Sequence, residues 1–162
     1  MIELVPTRDG ERENFIVNLQ AAFKFAAIEE LGDDGDEIIE RADILECFNK
    51  AGAQVLNIVR AGEVVGGAVV VIRPNGHNEL SLFFVDVRHI GEGIGFAAWQ
   101  AIERRYPATE IWETATPYFE KRNLHFYVNK CGFHAVEFFN LHHPDADNGD
   151  EYFFRFEKVV SK

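Results

Sequence analysis

Apolar residues recur at helical spacing in two segments near the start of the chain. Between about Arg12 and Leu31 they fall on one helical face, and Gly32 is a typical end for that helix. The same spacing predicts a second helix from about Asp36 to Phe48. A short strand, Met1 to Val5, precedes both helices and is ended by Pro6.

Three strand-like segments follow, separated by short turns that contain glycine. The strands are predicted over Gln54 to Arg60, Val64 to Ile72 and Glu79 to Val87. Residues 61–63 and 74–76 form the turns between them. Because these connections are short, we expect the three strands to form an antiparallel meander.

The rest of the chain alternates helices and strands. A helix begins after the glycine-rich residues 91–95, and Pro107 lies just past its end. The next helix is predicted from apolar residues at i, i+3, i+4 and i+7, with Gly132 at its C-terminus. Those four residues are Leu124, Tyr127, Val128 and Cys131. The remaining strands are predicted over Glu110 to Thr114, Ala135 to Leu141 and Tyr152 to Val159.

The element order β-α-α-β-β-β-α-β-α-β-β predicts an α+β fold. Helices should cover both faces of one mixed, mostly antiparallel sheet. The length of 162 residues suits a single domain over residues 1–162. With 47% hydrophobic residues the chain can bury a core without a disulfide or a metal.

Charge and composition exclude several classes of function. The net charge of −11 is the wrong sign for a protein that follows the phosphates of a nucleic acid. No apolar run approaches the ~20 residues of a membrane helix. The first residues lack the basic and apolar regions of a signal peptide, and the chain has only two cysteines, Cys47 and Cys131. We therefore expect a cytoplasmic protein with reduced thiols and no membrane or nucleic-acid partner.

Three glycines at alternate positions, Gly91, Gly93 and Gly95, connect a predicted strand to a predicted helix. Without Cβ atoms this turn can approach a ligand closely, and the free N–H groups of the helix favour an anion there. A dinucleotide fingerprint needs a glycine where Phe96 stands, and a P-loop needs lysine and a hydroxyl residue at positions 96 and 97. A glycine-rich turn without a ligand is the structural alternative.

Two motifs together resemble the GCN5-related N-acetyltransferases (the GNAT family). Residues 82–87 followed by 91–95 and 99–103 are similar to that family's acyl-CoA-binding motif. Residues 123–127 and 130–133 are similar to its second core motif, and the predicted element order matches the family over nearly the whole chain. The resemblance implies transfer of an acetyl group from acetyl-CoA, as co-substrate, to a primary amine.

The resemblance also implies where the cofactor binds. Val85 and Val87 would pair their main chains with the pantetheine arm, which requires their strand to splay away from the following one. Asn123 resembles the family's asparagine that contacts this arm. The backbone amides that would hold the pyrophosphate belong to Ile90, Gly91, Glu92, Gly93, Ile94, Gly95 and Phe96.

Two positions depart from the family pattern. Ile90 stands where the family usually has glutamine or arginine, and Arg88 or His89 is an alternative source of charge. Tyr127 lies five residues before Gly132 instead of four, so its side chain would aim elsewhere unless the helix bulges.

The resemblance suggests candidates for acid and base. Tyr127 is the candidate acid for the leaving thiolate, with Tyr118 in reserve and a purely structural core role as the alternative. Glu79 resembles the position where some members carry a base, although an exposed glutamate is common at the start of a strand.

The acceptor is less defined by the sequence. Nine acids lie between Glu29 and Glu46 against one base, Arg41, in the region that borders the acceptor site in the resembled family. This rim favours a small cationic amine, and a solvated acidic face is the alternative. A catalytically weak acyl-CoA sensor and a domain that binds another nucleotide are the rival functions.

Two further features leave interpretations open. The grouping of His142, His143, Asp145 and Asp147 is expected to be a solvated loop, so no metal site is predicted. The aromatic C-terminal strands suit a core, but they leave a homodimer open.

Overall fold

The computed structural model describes residues 1–32, 39–117, 120–145 and 152–160. The strands are β1 (Ile2–Pro6), β2 (Ala53–Arg60), β3 (Glu63–Val71), β4 (His77–Val85), β5 (Ile111–Pro117), β6 (His134–Phe139) and β7 (Phe153–Val159). The helices are α1 (Arg12–Leu31), α2 (Arg41–Phe48), α3 (Ile94–Arg105) and α4 (Lys121–His125). A π-helical turn, Phe126–Lys130, continues α4, and 3-10 helices lie at Asp9–Glu11 and Val87–His89.

Within this described part, seven strands form one sheet in the order β1-β2-β3-β4-β5-β7-β6. Strands β2, β3 and β4 form the antiparallel meander that their short turns predicted. Of the neighbouring pairs, β4 with β5 is parallel and the others are antiparallel. The predicted α+β class with a mixed, mostly antiparallel sheet is confirmed.

Helices cover both faces of the sheet, as predicted. On one face α1 and α2 bury residues such as Leu19 and Ile44 against β3 and β4. On the other face the indole rings of Trp99 and Trp112 meet edge to face, with centroids 5.4 Å apart, and Phe133 packs beside them. Each face therefore has its own apolar core.

The parallel strands β4 and β5 pair along only three residues each. His77 to Glu79 face Ile111 to Glu113, and no further pairs join the two strands. Beyond that point β4 is paired only with β3, and β5 only with β7. The two strands diverge from Leu80 and Thr114 onward, which confirms the predicted splay.

Some predicted boundaries are wrong. The strand predicted to reach Val87 ends at Val85, because Asp86 accepts a hydrogen bond from the Arg88 amide (3.0 Å) and turns the chain into a 3-10 helix. Helix α2 begins at Arg41 instead of Asp36: Glu40 is extended, and residues 33–38 lie outside the described part. None of the helices described here combines the length and apolar character needed to cross a membrane.

Candidate functional site

The glycine turn joins β4 to α3 at the wide end of the splay. Gly91 and Gly93 have φ angles of 87° and 76°, in the left-handed region that favours glycine. A Cβ atom at either position would meet no other atom within 4 Å, so this side of the turn is open. The backbone conformation, and not crowding by the protein, accounts for glycine at both positions.

The main-chain amides of the turn are bare. The first amide of α3 to donate within the helix is that of Ala97, to the Gly93 carbonyl (3.4 Å). In the described part of the chain, the amides from Gly91 to Phe96 donate no hydrogen bond to a protein acceptor. The N-terminus of α3 also carries the positive end of the helix dipole. This arrangement can bind an anion such as a diphosphate.

A charged cluster lies beside the turn. The Arg60 guanidinium, from the end of β2, bonds the Glu92 carboxylate at 2.6 Å and lowers the pKa of that carboxyl. His89 is only 14% exposed and lies between Glu63 and Glu92, at 3.2 and 3.3 Å. Sequence analysis missed Arg60, because it lies 32 residues from Glu92 and no local pattern joins the two.

Arg88 and His89, the two alternative sources of positive charge for position 90, both contact acidic side chains. His89 contacts Glu63 and Glu92, as above, and the Arg88 guanidinium bonds both oxygens of Asp86 at 3.0 and 2.9 Å. The side chain of Ile90 is exposed. Arg60 therefore brings a permanent positive charge to the side chain of the turn residue Glu92.

The free edge of β4 faces the splay. The Asp86 amide donates to the Val65 carbonyl (2.8 Å), and main-chain direction alternates along an antiparallel pair. Phe84 and Leu82 therefore bond to β3, whereas Val85 and Phe83 turn their N–H and C=O groups toward the gap. Within β4, the main-chain groups of Phe83 therefore point the same way as those of Val85, and sequence analysis missed Phe83. Val87, which it named instead, lies beyond the end of the strand.

Helix α3 approaches β4 and the π-helical turn closely at Gly95. An ideal Cβ on Gly95 would lie 3.4 Å from the Phe126 ring and 3.8 Å from a methyl group of Val85. The Phe126 ring in turn stacks on that of Phe83, with centroids 6.1 Å apart. The absence of a side chain at Gly95 therefore leaves space between Phe126 and Val85 that a Cβ would fill with ordinary contacts.

Asn123, the predicted contact to the cofactor arm, lies in α4 near β5. Its side-chain amide donates to the Thr116 hydroxyl at 3.2 Å. This bond fixes the asparagine on the β5 side of the splay, opposite the free edge of β4.

Tyr127 occupies the π-helical turn. The Cys131 amide donates to the Phe126 carbonyl five residues back (3.0 Å), so the turn holds one residue more than an α-helix. This π-helical turn is the helix bulge that the five-residue spacing of Tyr127 and Gly132 requires if the tyrosine is to keep the orientation usual in the resembled family. The tyrosine is 7% exposed, and its ring packs against Phe133 and Phe156. Tyr127 therefore has the packing of a core residue and an orientation set by the π-helical turn.

Burial raises the pKa of the Tyr127 hydroxyl well above its usual value. The hydroxyl therefore keeps its proton throughout the pH range in which enzymes work. Tyr118, the reserve candidate, lies outside the described residues.

Glu79 lies at the narrow end of the splay, opposite Glu113 in the last parallel pair. Its neighbour Leu80 is buried in the α3 and α4 core, so the Glu79 side chain points to the α1 and α2 face. There it forms ion pairs with Lys50 and Arg73, both at 3.2 Å.

The acidic segment between Glu29 and Glu46 is described only in part. Asp33, Asp34, Asp36 and Glu37 lie outside the described residues. Glu29 pairs with Arg122 of α4, and Arg41 pairs with Glu13 of α1. Glu40, Asp43 and Glu46 are exposed.

Two groups of histidines and acids contain their own ion pairs. In the C-terminal loop His143 contacts Glu137, and Asp147 lies outside the described residues. On the sheet, ligand atoms of His77, Glu113 and Glu157 lie within 4.8 Å of one another. The Arg155 guanidinium bonds both of these glutamates, at 3.0 and 2.6 Å, and supplies positive charge to that group.

Both cysteines are free in the structure. Cys47 is half-buried, whereas Cys131 is buried behind the π-helical turn. Burial raises the pKa of the Cys131 thiol to about 12, so it is protonated and unreactive near neutral pH.

Comparison with known proteins gives matches over most of the chain. The model of a family described as the acetyltransferase (GNAT) family matches residues 16–133. A protein of Bacillus subtilis (strain 168), YrkN, described as uncharacterized, is 47% identical in an alignment of 169 positions that covers 96% of this chain and 91% of that protein.

Solved structures share the fold. A GNAT family acetyltransferase from Elizabethkingia anophelis with acetyl-CoA bound superposes with a TM-score of 0.69 at 15% identity, over 98% of both chains. A Bacillus subtilis acetyltransferase in complex with CoA gives a TM-score of 0.67 at 18% identity, over 99% of this chain and 98% of that one. At these identities the likeness concerns the fold alone.

Proposed function

We propose, because the chain belongs to the acetyltransferase (GNAT) family, that it is an N-acetyltransferase that moves an acetyl group from acetyl-CoA to a primary amine. The observation that carries this proposal is the row of bare amides from Gly91 to Phe96, at the wide end of the gap between β4 and β5. A diphosphate needs such amides, and a pantetheine arm needs such a gap.

The CoA diphosphate would accept hydrogen bonds from the amides of the turn, between Ile90 and Phe96. Glu92 carries a negative charge within this turn, which would oppose the diphosphate. Arg60 bonds the Glu92 carboxylate and offsets that charge. We therefore propose Arg60 as the cation that makes up for the absence of glutamine or arginine at Ile90.

The pantetheine arm would pair with the free edge of β4 like an added strand. Val85 keeps the role that the family resemblance implied, and Phe83 takes the role expected of Val87. Val87 lies in the 3-10 helix, where its main chain is out of line with the strand. Asn123 would face the arm from α4, across the gap.

The reaction joins the amine nitrogen to the carbonyl carbon of the thioester and breaks the carbon–sulfur bond. A lysine-like amine has a pKa of ~10.4, so presenting it neutral at pH 7 costs about 4 kcal/mol. We propose Glu79 as the group that takes the amine proton, directly or through water. Its ion pairs with Lys50 and Arg73 fix the carboxylate in position.

The thiolate that leaves requires a proton. Tyr127 would donate it, and the proton released by the amine balances this transfer overall. An amide on the free edge of β4 would stabilise the oxyanion of the tetrahedral intermediate. The raised pKa of Tyr127 keeps the donor protonated, although it also makes the hydroxyl a weaker acid.

We propose a small cationic amine as the acceptor. Support comes from the exposed carboxylates of Glu40, Asp43 and Glu46 beside the acceptor region implied by the family resemblance. A negative rim raises the local concentration of cations and their association rate. Faster acetylation of acidic or neutral amines than of cationic amines would contradict this part of the proposal.

The test is an amine panel incubated with acetyl-CoA, in which released CoA thiol and acetylated amine are both measured. We expect turnover with at least one primary amine. Glu79→Gln and Tyr127→Phe should each lower kcat/KM more than about threefold. Activity of both variants within that range would contradict the proposed acid and base.

A catalytically weak acyl-CoA sensor is the second candidate. The observation that favours it is the burial of Tyr127, which is 7% exposed and whose raised pKa makes its hydroxyl a weaker acid. Binding of acetyl-CoA without turnover across a broad panel would support the sensor. Competition by ATP or NAD in a thermal-shift assay would instead indicate a different nucleotide.

A further inference from the structure

We propose that His89 is a positioning residue of the coenzyme site, and that binding of the CoA diphosphate to the glycine turn is coupled to uptake of a proton by the His89 imidazole. The inference rests on the CoA binding of the proposed function, and not on the acid, the base or the amine assigned there. The coenzyme should therefore bind more tightly at pH 6 than at pH 8.

His89 lies between carboxylates from two different parts of the fold. It ends the 3-10 helix that leads into the glycine turn, and its side chain is 14% exposed. The His89 Nε2 atom lies 3.2 Å from Oε1 of Glu63, the first residue of β3. The Nδ1 atom lies 3.3 Å from Oε2 of Glu92, within the turn. The imidazole therefore joins the sheet to the turn whose bare amides we assign to the diphosphate.

The protonation state of the ring decides whether both of these contacts are hydrogen bonds. A neutral imidazole carries one proton, so one of its nitrogens presents a lone pair. With the proton on Nε2, the Nδ1 lone pair faces Glu92 and can accept only from the Arg60 guanidinium, 3.4 Å away. With the proton on Nδ1, the Nε2 lone pair faces Glu63. Only the protonated ring donates to both carboxylates and ties Glu92 to β3.

The same proton sets the charge beside the turn. Arg60 contributes one positive charge, and Glu63 and Glu92 contribute one negative charge each. With a neutral imidazole this group carries a net negative charge, which repels a diphosphate on the turn. With a protonated imidazole the group is neutral. A proton on His89 and a diphosphate on the amides of the turn therefore favour each other.

The charged pair on the other side of the ring, Asp86 and Arg88, does not change this count. The His89 amide donates to the Asp86 carbonyl at 2.9 Å, so the pair belongs to the same 3-10 helix. The Arg88 guanidinium bonds the Asp86 carboxylate and lowers the pKa of that carboxyl below its usual range. The pair therefore stays ionised and adds no net charge, whereas a histidine changes its charge near neutral pH.

The experiment measures the Kd of two probes, CoA and 3′-dephospho-CoA, at pH 6 and pH 8 by isothermal titration calorimetry. The second probe keeps the diphosphate but lacks the 3′-phosphate, which itself titrates at about pH 6. The wild type is compared with His89→Gln, which keeps hydrogen-bonding groups but does not titrate.

His134→Gln is the matched control, because it removes one histidine far from the turn. His134 is exposed and begins the edge strand β6, which β5 and β7 separate from β4. His89→Arg is the complementary variant, because its side chain keeps a positive charge at both pH values.

We expect the Kd of each probe for the wild type to rise roughly three- to tenfold from pH 6 to pH 8, a modest factor because water and salt screen partly exposed charges. His134→Gln should show the same rise. For 3′-dephospho-CoA, the rise should be less than about 1.5-fold in His89→Gln and in His89→Arg, because neither side chain titrates in this range. Calorimetry in buffers of different ionisation enthalpy should show net proton uptake on binding to the wild type and none with His89→Gln.

A wild-type Kd for 3′-dephospho-CoA that is equal at pH 6 and pH 8 overturns the inference, and so does a full rise in His89→Gln. If His89→Gln does not fold, a full rise in His89→Arg has the same meaning. Failure of both probes to bind at either pH would overturn the proposed function together with the inference, which distinguishes it from the loss of pH dependence alone.

Discussion

Replacing Gly95 by alanine separates folding from cofactor binding. Gly95 lies in the first turn of α3, and its φ is outside the left-handed region that favours glycine. An added Cβ would make ordinary contacts with Phe126 and Val85, at 3.4 and 3.8 Å. Alanine is favoured over glycine within a helix by about 0.5–1 kcal/mol. Without ligand, Gly95→Ala should therefore stabilise the protein and raise Tm by roughly 1–4 °C.

The same Cβ would project between Val85 and Phe126, beside the free edge of β4 with which we propose that the pantetheine arm pairs. Crowding by one methyl group costs about 1–3 kcal/mol, which corresponds to a rise in Kd of roughly five- to 150-fold; we take tenfold as the working value. At 100 times the wild-type Kd, acetyl-CoA stabilises the wild type by about 2.7 kcal/mol. A tenfold weaker variant gains only about 1.4 kcal/mol at the same concentration. The shift in Tm caused by acetyl-CoA should therefore be about halved.

Thermal shift with and without acetyl-CoA measures both effects in one experiment. Gly10→Ala serves as a control, because its Cβ would meet nothing within 4 Å and the residue lies in the 3-10 helix Asp9–Glu11, outside the glycine turn and α3. The control should keep the full ligand-induced shift. If Gly95→Ala also kept that shift, the proposed path of the arm past Gly95 would be wrong.

Three further predictions concern charge and protonation. Arg60→Ala should raise KM for acetyl-CoA roughly three- to tenfold, because it leaves the Glu92 charge unpaired near the diphosphate. Adding Glu92→Gln to the same chain should restore KM. An unchanged KM in Arg60→Ala would contradict the role assigned to Arg60. Because the pKa of Cys131 is raised to about 12, only about one in 10⁴ of its thiols is ionised at pH 8. Iodoacetamide should thus label Cys47 alone in the native protein and both cysteines in denaturant. Since the pKa of Tyr127 is raised, the acid stays protonated as pH rises, and kcat should show no decline attributable to Tyr127 up to pH 10; a decline abolished by Tyr127→Phe would refute this.

Local sequence signals predicted the elements that build the site. The positive φ angles of Gly91 and Gly93, and the start of α3 directly after them, follow from residues adjacent in the chain. The meander from β2 to β4 follows from its short turns. The predicted end of β4 was wrong because the Asp86 side chain caps a 3-10 helix, and that competition overrides the strand propensity of Val87.

By itself, the sequence determined the order of elements and the position of the glycine turn, because turn chemistry and hydrophobic periodicity act over a few residues. The splay of the two strands was expected only from the resemblance to the family. Tertiary structure alone decided which side chains meet at the site. Arg60 reaches Glu92 across 32 residues, and Thr114 reaches Leu80 across 34. Such contacts depend on how the strands diverge and on the register of the sheet, so no local pattern in the chain encodes them.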